Sequence, residues 1–145
     1  MATGLPGALL VIGTAAMLVA LTFGADPLWT VEPLTLPEAA ALHDNGEIVR
    51  LIELGADPNS ADTVRADVVH HDAQVLTPLE AAVGAEREDI VQLLLELGAV
   101  LDPPTWIRLA CFADAVGAPD VRSLLDERRP AGAPSSCDGV EIPWS

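Results

Sequence analysis

By residue type, the groups best suited to chemistry in this 145-residue chain are three histidines, two cysteines and 22 carboxylates. Asp67, His70, His71 and Asp72 form the densest group, and two imidazoles with two carboxylates are a ligand set for a metal such as zinc. Their spacing argues against it. Adjacent side chains of an extended segment point to opposite sides, so His70 and His71 do not converge, and no further His or Cys lies near in sequence. The segment reads as a solvated loop. His43 stands beside Asp44, Asn45 and Gly46 and reads as an exposed turn residue. Cys111 lies in the apolar run 109–113 and fits a small buried hydrophobe. A Cys111–Cys137 bridge needs an oxidising compartment and a geometry that sequence does not supply. There is no nucleophile motif, no glycine-rich phosphate loop after a strand, and no Cys or His pair at zinc spacing. The expectation is therefore a protein that is not an enzyme, with no metal, no cofactor and no small-molecule substrate.

Charge narrows the partners. Seven basic residues, all Arg, face 22 acidic ones, for a net charge of −15. Nucleic-acid affinity comes mostly from Lys and Arg neutralising phosphates, so no nucleic acid is expected as a partner, and anionic lipid head groups are disfavoured in the same way.

The elements that must position any site begin with an uncharged run of nineteen residues, 5–23. As a helix it extends about 28 Å at 1.5 Å per residue, close to the hydrocarbon thickness of a bilayer. A membrane-spanning helix over residues 5–24 is expected, with membrane contact through those residues, Trp29 near the interface and a linker over 25–34. A cleaved signal peptide competes. It wants a basic start and small residues at the cut, and here no Lys or Arg precedes the apolar run. Neither flank carries Lys or Arg until Arg50, so the positive-inside rule leaves open which side the rest faces.

Three later windows resemble one another: 36–59, 77–102 and, more loosely, 106–129. Each reads as a helix–turn–helix. In the second, Pro78 suits a first helical turn and Leu79, Ala81, Ala82 and Val83 form a short small-residue helix. A turn over residues 84–88 follows, with Asp89 favouring a new helix start. Ile90, Val91, Leu93, Leu94 and Leu97 then recur at helical spacing, and Gly98 is the stop. The first window repeats the logic with Ala39, Ala40 and Leu42, then Ile48, Val49, Leu51, Ile52 and Leu54, ended by Gly55. Neither pair can bury its apolar face alone, so stacking is required.

These residues resemble the ankyrin repeat. Thr77-Pro78-Leu79 with Ala81-Ala82 matches the family's T-P-L-H-x-A pattern, with Glu80 in the His place. Leu93-Leu94-Leu95-Glu96-Leu97-Gly98-Ala99 matches its second-helix ending, as does Leu51-Ile52-Glu53-Leu54-Gly55-Ala56-Asp57-Pro58-Asn59. The first window has Thr35-Leu36-Pro37 instead of T-P-L, and the third lacks the final glycine-alanine; terminal repeats are often atypical. Arg122, Ser123, Glu127, Arg128 and Arg129 would wet the outer face of the last helix. The resemblance implies an all-α class, an ankyrin-type solenoid over residues 35–129 behind one N-terminal transmembrane helix.

The glycines Gly55 and Gly98 are 43 residues apart, against a family period of about 33. The surplus falls in residues 60–76, where ankyrin proteins carry a β-hairpin finger. A long finger is either a recognition loop or a tolerated insertion. Residues 130–145 form an extended tail rich in Pro, Gly and Ser that ends in Val140-Glu141-Ile142-Pro143-Trp144. Its end suits docking into a groove, its own or another protein's. Arg65, Val68, Val69, His70, His71, Ile142 and Trp144 are the candidate partner-binding residues, and both segments are expected to be dispensable for folding. The function implied is a membrane-anchored protein–protein interaction module with a membrane-associated protein partner, as an accessory subunit of a larger membrane complex or a free-standing adaptor. The alternative is a soluble exported ankyrin-repeat protein after signal-peptide cleavage.

Overall fold

The computed structural model describes residues 32–144. The expected membrane helix, residues 5–24, and most of the linker lie outside the described residues. Among the described residues no helix is long and apolar enough to cross a membrane.

From Leu34 onward the chain folds as six helices and one hairpin, in the order α1 (Leu36–Ala41), α2 (Asn45–Glu53), β1 (Asp62–Val64), β2 (Gln74–Leu76), α3 (Pro78–Gly84), α4 (Glu88–Glu96), α5 (Pro103–Val116) and α6 (Pro119–Glu127). The mostly helical expectation holds, and the hairpin is what an all-α class leaves out. Four of these six helix starts are set by short polar side chains. Thr35 and Thr77 each accept a hydrogen bond from the backbone N–H three residues on, and the glutamates at those positions, Glu38 and Glu80, accept from the threonine N–H in return. Two otherwise orphaned donors are thereby satisfied at each start. Exchanging Pro and Leu after Thr35 leaves this cap intact, because proline is harmless anywhere in the first turn. Asp44 and Asp102 cap α2 and α5 through Glu47 N and Thr105 N. Gly55 and Gly98 follow α2 and α4 with φ of 101° and 106°, a region that L side chains rarely adopt.

Several boundaries differ from the sequence reading: α2 begins at Asn45 and α4 at Glu88, both inside the expected turns. Helix α3 continues through Gly84, which the sequence reading assigned to the turn. Helix α5 begins at Pro103, three residues before Trp106, because Pro103-Pro104 occupies a first turn instead of breaking a helix.

The pairs α1–α2, α3–α4 and α5–α6 stack side by side, with α1 on α3, α3 on α5, and α4 touching α6. Small residues let the backbones approach: Ala39, Ala40, Ala82, Ala110 and Ala113 are fully buried where these helices meet. Ile48, Ile90, Leu94, Leu109, Phe112 and Leu125 fill the core between layers. Trp106 is buried at the last pair, its Nε1 donating to Leu125 O at 2.6 Å. Arg122, expected to be wet, is half-buried and binds Asp114 and Asp126. Arg129 lies 4.8 Å from the Trp106 ring. Ser123, Glu127 and Arg128 are exposed as expected.

Candidate interaction surface

The finger is an antiparallel hairpin pairing Asp62 with Leu76, Thr63 with Val75 and Val64 with Gln74. Val64 and Leu76 point inward and join Ala41 and Ala81 in a small cluster of their own. Alternation then turns Thr63 and Val75 outward, and Val75 is among the most exposed apolar side chains of the described residues.

Arg65 leaves the end of β1 and fastens the finger to α1. Glu38, 1% exposed, receives Arg65 N at 2.9 Å, Nε at 2.7 Å and Nη2 at 3.0 Å. Burial alone would raise the Glu38 pKa. Hydrogen bonds from the Arg65 side chain and backbone and from Thr35 outweigh it and hold the carboxyl below its ordinary range. Glu80 has a similar neighbour in Arg108, whose Nε lies 3.1 Å from Oε1 but makes no hydrogen bond. Each capping glutamate thus meets an arginine further along the chain. Asn59 adds a second tie between units. It accepts from Val100 N at 2.7 Å and donates to Gly98 O. His43, expected to be a plain turn residue, bonds Asp89 at the head of α4 at 2.5 Å.

At the finger tip the two histidines part company. Asp72 N donates to His70 Nδ1 at 3.1 Å, so that nitrogen is an acceptor and the neutral ring carries its proton on Nε2. Gln74 Nε2 lies 3.2 Å from the same atom. His71 points to solvent, with Asp67 and Asp72 only at 4.0 and 3.7 Å. Among the described residues no group of three or more His, Cys, Asp or Glu side chains is placed to hold a metal ion.

The tail folds back onto its own helices. Arg129 Nη2 donates to Ala133 O and Pro134 O. Cys137 then forms a disulfide with Cys111 of α5, Cα–Cα 5.8 Å. Cys111 is buried, as its apolar run suggests, and the bridge that the sequence leaves open is formed, because the tail turn brings Cys137 over the α5 face. Beyond the bridge, Ile142 packs half-buried on the main core. The Trp144 ring lies 4.7 Å from Phe112, edge to face, and stacks on His70 at 5.1 Å.

Gly84 explains why the indole fits. A Cβ there would come within 2.7 Å of Trp144 Cη2, 2.8 Å of Val69 Cγ1 and 3.1 Å of Phe112 Cζ. The finger tip and the tail, read from sequence as two separate surfaces, thus meet at one seat. Val69, His70 and Trp144 are brought together there, and Val68 packs in the adjoining small cluster. Arg65 is committed to Glu38, and His71 stands outside. Neither segment stands clear of the fold: Arg65 of the finger holds a buried carboxylate, and Ile142 and Trp144 pack against the helices. Sequence reasoning missed Gly84, Phe112 and Glu38. The glycine at the end of an alanine-rich helix was the available signal. Compared with protein-family models, curated proteins and solved structures, the chain matches none.

Proposed function

We propose that the chain is a membrane-anchored protein–protein interaction module: an ankyrin-type stack of three helix pairs carried by a single transmembrane helix over residues 5–24, catalysing nothing. The observation that carries the stack is the recurrence of one device, a Thr cap with a Glu three residues on that meets an arginine further along, at Thr35–Glu38–Arg65 and Thr77–Glu80–Arg108. Stacked pairs with a projecting finger offer a broad, rigid surface, which suits recognition of a folded partner. That step rests on resemblance, since fold alone does not dictate function.

The disulfide supports a side. Such bridges persist in oxidising compartments and are rare in the cytosol, so in this reading the helix pairs face the oxidising side of the membrane. A soluble exported protein, freed by cleavage of its leader, fits the bridge equally well and is the second reading. Affinity purification in mild detergent tests the proposal. A protein partner should co-purify in fixed ratio, near one-to-one for an accessory subunit and substoichiometric for a transient adaptor. Recovery of the chain alone from native membranes would contradict it.

A further inference from the structure

We propose that the seat formed by Gly84, Val69, His70 and Phe112 is a docking pocket for a tryptophan-bearing, basic, extended segment of a protein partner, and that the chain's own tail is a tethered stand-in which this segment displaces. The inference rests on the recognition role above and names the chemistry of its ligand.

The seat is built for an indole. Its floor exists because Gly84 has no Cβ, its walls are one aromatic edge and one imidazole face, and its apolar rim is Val69. The tail fills it imperfectly. Trp144 is only half-buried, and its backbone stands at φ 41°, an uncommon region for a bulky residue. Among the described residues, the one backbone–backbone hydrogen bond made between 138 and 144 is internal to the tail, Val140 N to Cys137 O. The tail's charge is also wrong. Asp138 and Glu141 are exposed and add two carboxylates to a chain of net charge −15 whose finger already exposes Asp67 and Asp72. A segment with Lys or Arg at those positions would meet complementary charge instead.

What keeps the tail in place is its tether. Trp144 lies seven residues past Cys137 and fifteen past Arg129. Effective concentration falls roughly as the −3/2 power of linker length, so the disulfide favours the tail about threefold over a linker starting at Arg129. A second copy's tail would offer the same side chains without that advantage. It is therefore the weaker competitor, and the partner segment is the one expected to win.

The test uses the full chain in detergent and two labelled peptides read by fluorescence anisotropy. One spans residues 138–145; the other is the same peptide carrying Asp138→Lys and Glu141→Lys. The Trp144→Ala protein, its seat emptied, should bind the basic peptide at least tenfold more tightly than wild type does. It should prefer that peptide to the acidic one, and lose the preference at high salt. Adding Gly84→Ala to Trp144→Ala should abolish binding while circular dichroism shows the helices retained. Should a variant unfold, reduction of the wild-type bridge gives an independent reading, with binding of the basic peptide tightened about threefold. Equal binding by wild type and Trp144→Ala, binding that survives Gly84→Ala, or no response to reduction would each overturn the proposal. So would concentration-dependent dimers of wild type that Trp144→Ala abolishes, since these would assign the seat to a second copy. Partner co-purification that persists unchanged in Trp144→Ala/Gly84→Ala would leave the recognition role standing and remove only the seat from it.

Discussion

Glu38 and Arg65 are unequal members of one pair, and the inequality decides what each substitution does. Glu38 is buried, whereas the Arg65 side chain is 44% exposed. Removing the arginine side chain leaves the buried carboxylate with backbone donors only, a loss of up to about 3–5 kcal/mol for such pairs. Removing the glutamate frees an arginine that water can solvate, nearer 1–3 kcal/mol. Arg65→Ala is therefore expected to lower the urea midpoint more than Glu38→Ala, and the reverse order would mean that Glu38 is not buried. The pair also makes a pH prediction. Because the folded-state pKa of Glu38 lies below its ordinary 4.5, its contribution is complete above about pH 4.5 and is lost as pH falls through the lowered value. Acidification also relieves the self-repulsion of a strongly negative chain, so the comparison must be internal. Between pH 7 and pH 3 wild type should lose more stability than Glu38→Gln, and parallel curves would contradict the assignment. Thr35 and Glu38 stand at capping-box spacing, a signal the sequence reading did not use. The second role of Glu38 was hidden because Arg65 reaches it only once the finger folds against α1.

At the scale of elements, the sequence pattern carries the helix pairs well and their edges less well. Apolar spacing and the stops at Gly55 and Gly98 mark α2 and α4. The start of α5 is obscured because two consecutive prolines serve equally for a turn and for a first helical turn. The same spacing that marks α4 does not rank its leucines. Leu94 is fully buried and Leu93 only partly. Leu94→Ala should cost about 2–5 kcal/mol, with Leu93→Ala distinctly less; equal losses would place the helix in a different rotation. The tail was legible as an apolar end on a polar segment, but not its destination. Its seat joins Gly84, Phe112 and the finger tip, and its bridge spans 26 residues of sequence. No local pattern records such contacts. Truncation after Gly139 is expected to lower the melting temperature by roughly 5 °C, the size of a ~1 kcal/mol loss in a domain of this length. Unchanged melting would mean that Trp144 does not pack on the helices. Closing a loop of this size removes about 3.5 kcal/mol of unfolded-state freedom in the chain-entropy account. Cys137→Ser should therefore destabilise by a similar amount.

For the whole molecule, the two ends of the chain make separate demands. In the proposed reading the uncharged run at residues 5–23 sits in a bilayer, and the Cys111–Cys137 bridge faces an oxidising compartment. The protein should sediment with membranes and resist carbonate, and its thiols should react with maleimide only after reduction. Intact chain beginning at Met1 in the soluble fraction would contradict the anchor, and free thiols in material from native membranes would contradict the side. The central claim is that the finger–tail face meets a protein, and site-specific photo-crosslinking in native membranes tests it most directly. A cross-linker at His71, exposed on the finger tip, should give one discrete protein adduct. The same group at Gln92, exposed on α4, should give none. Adducts of equal yield at both positions, or none at either, would contradict the account.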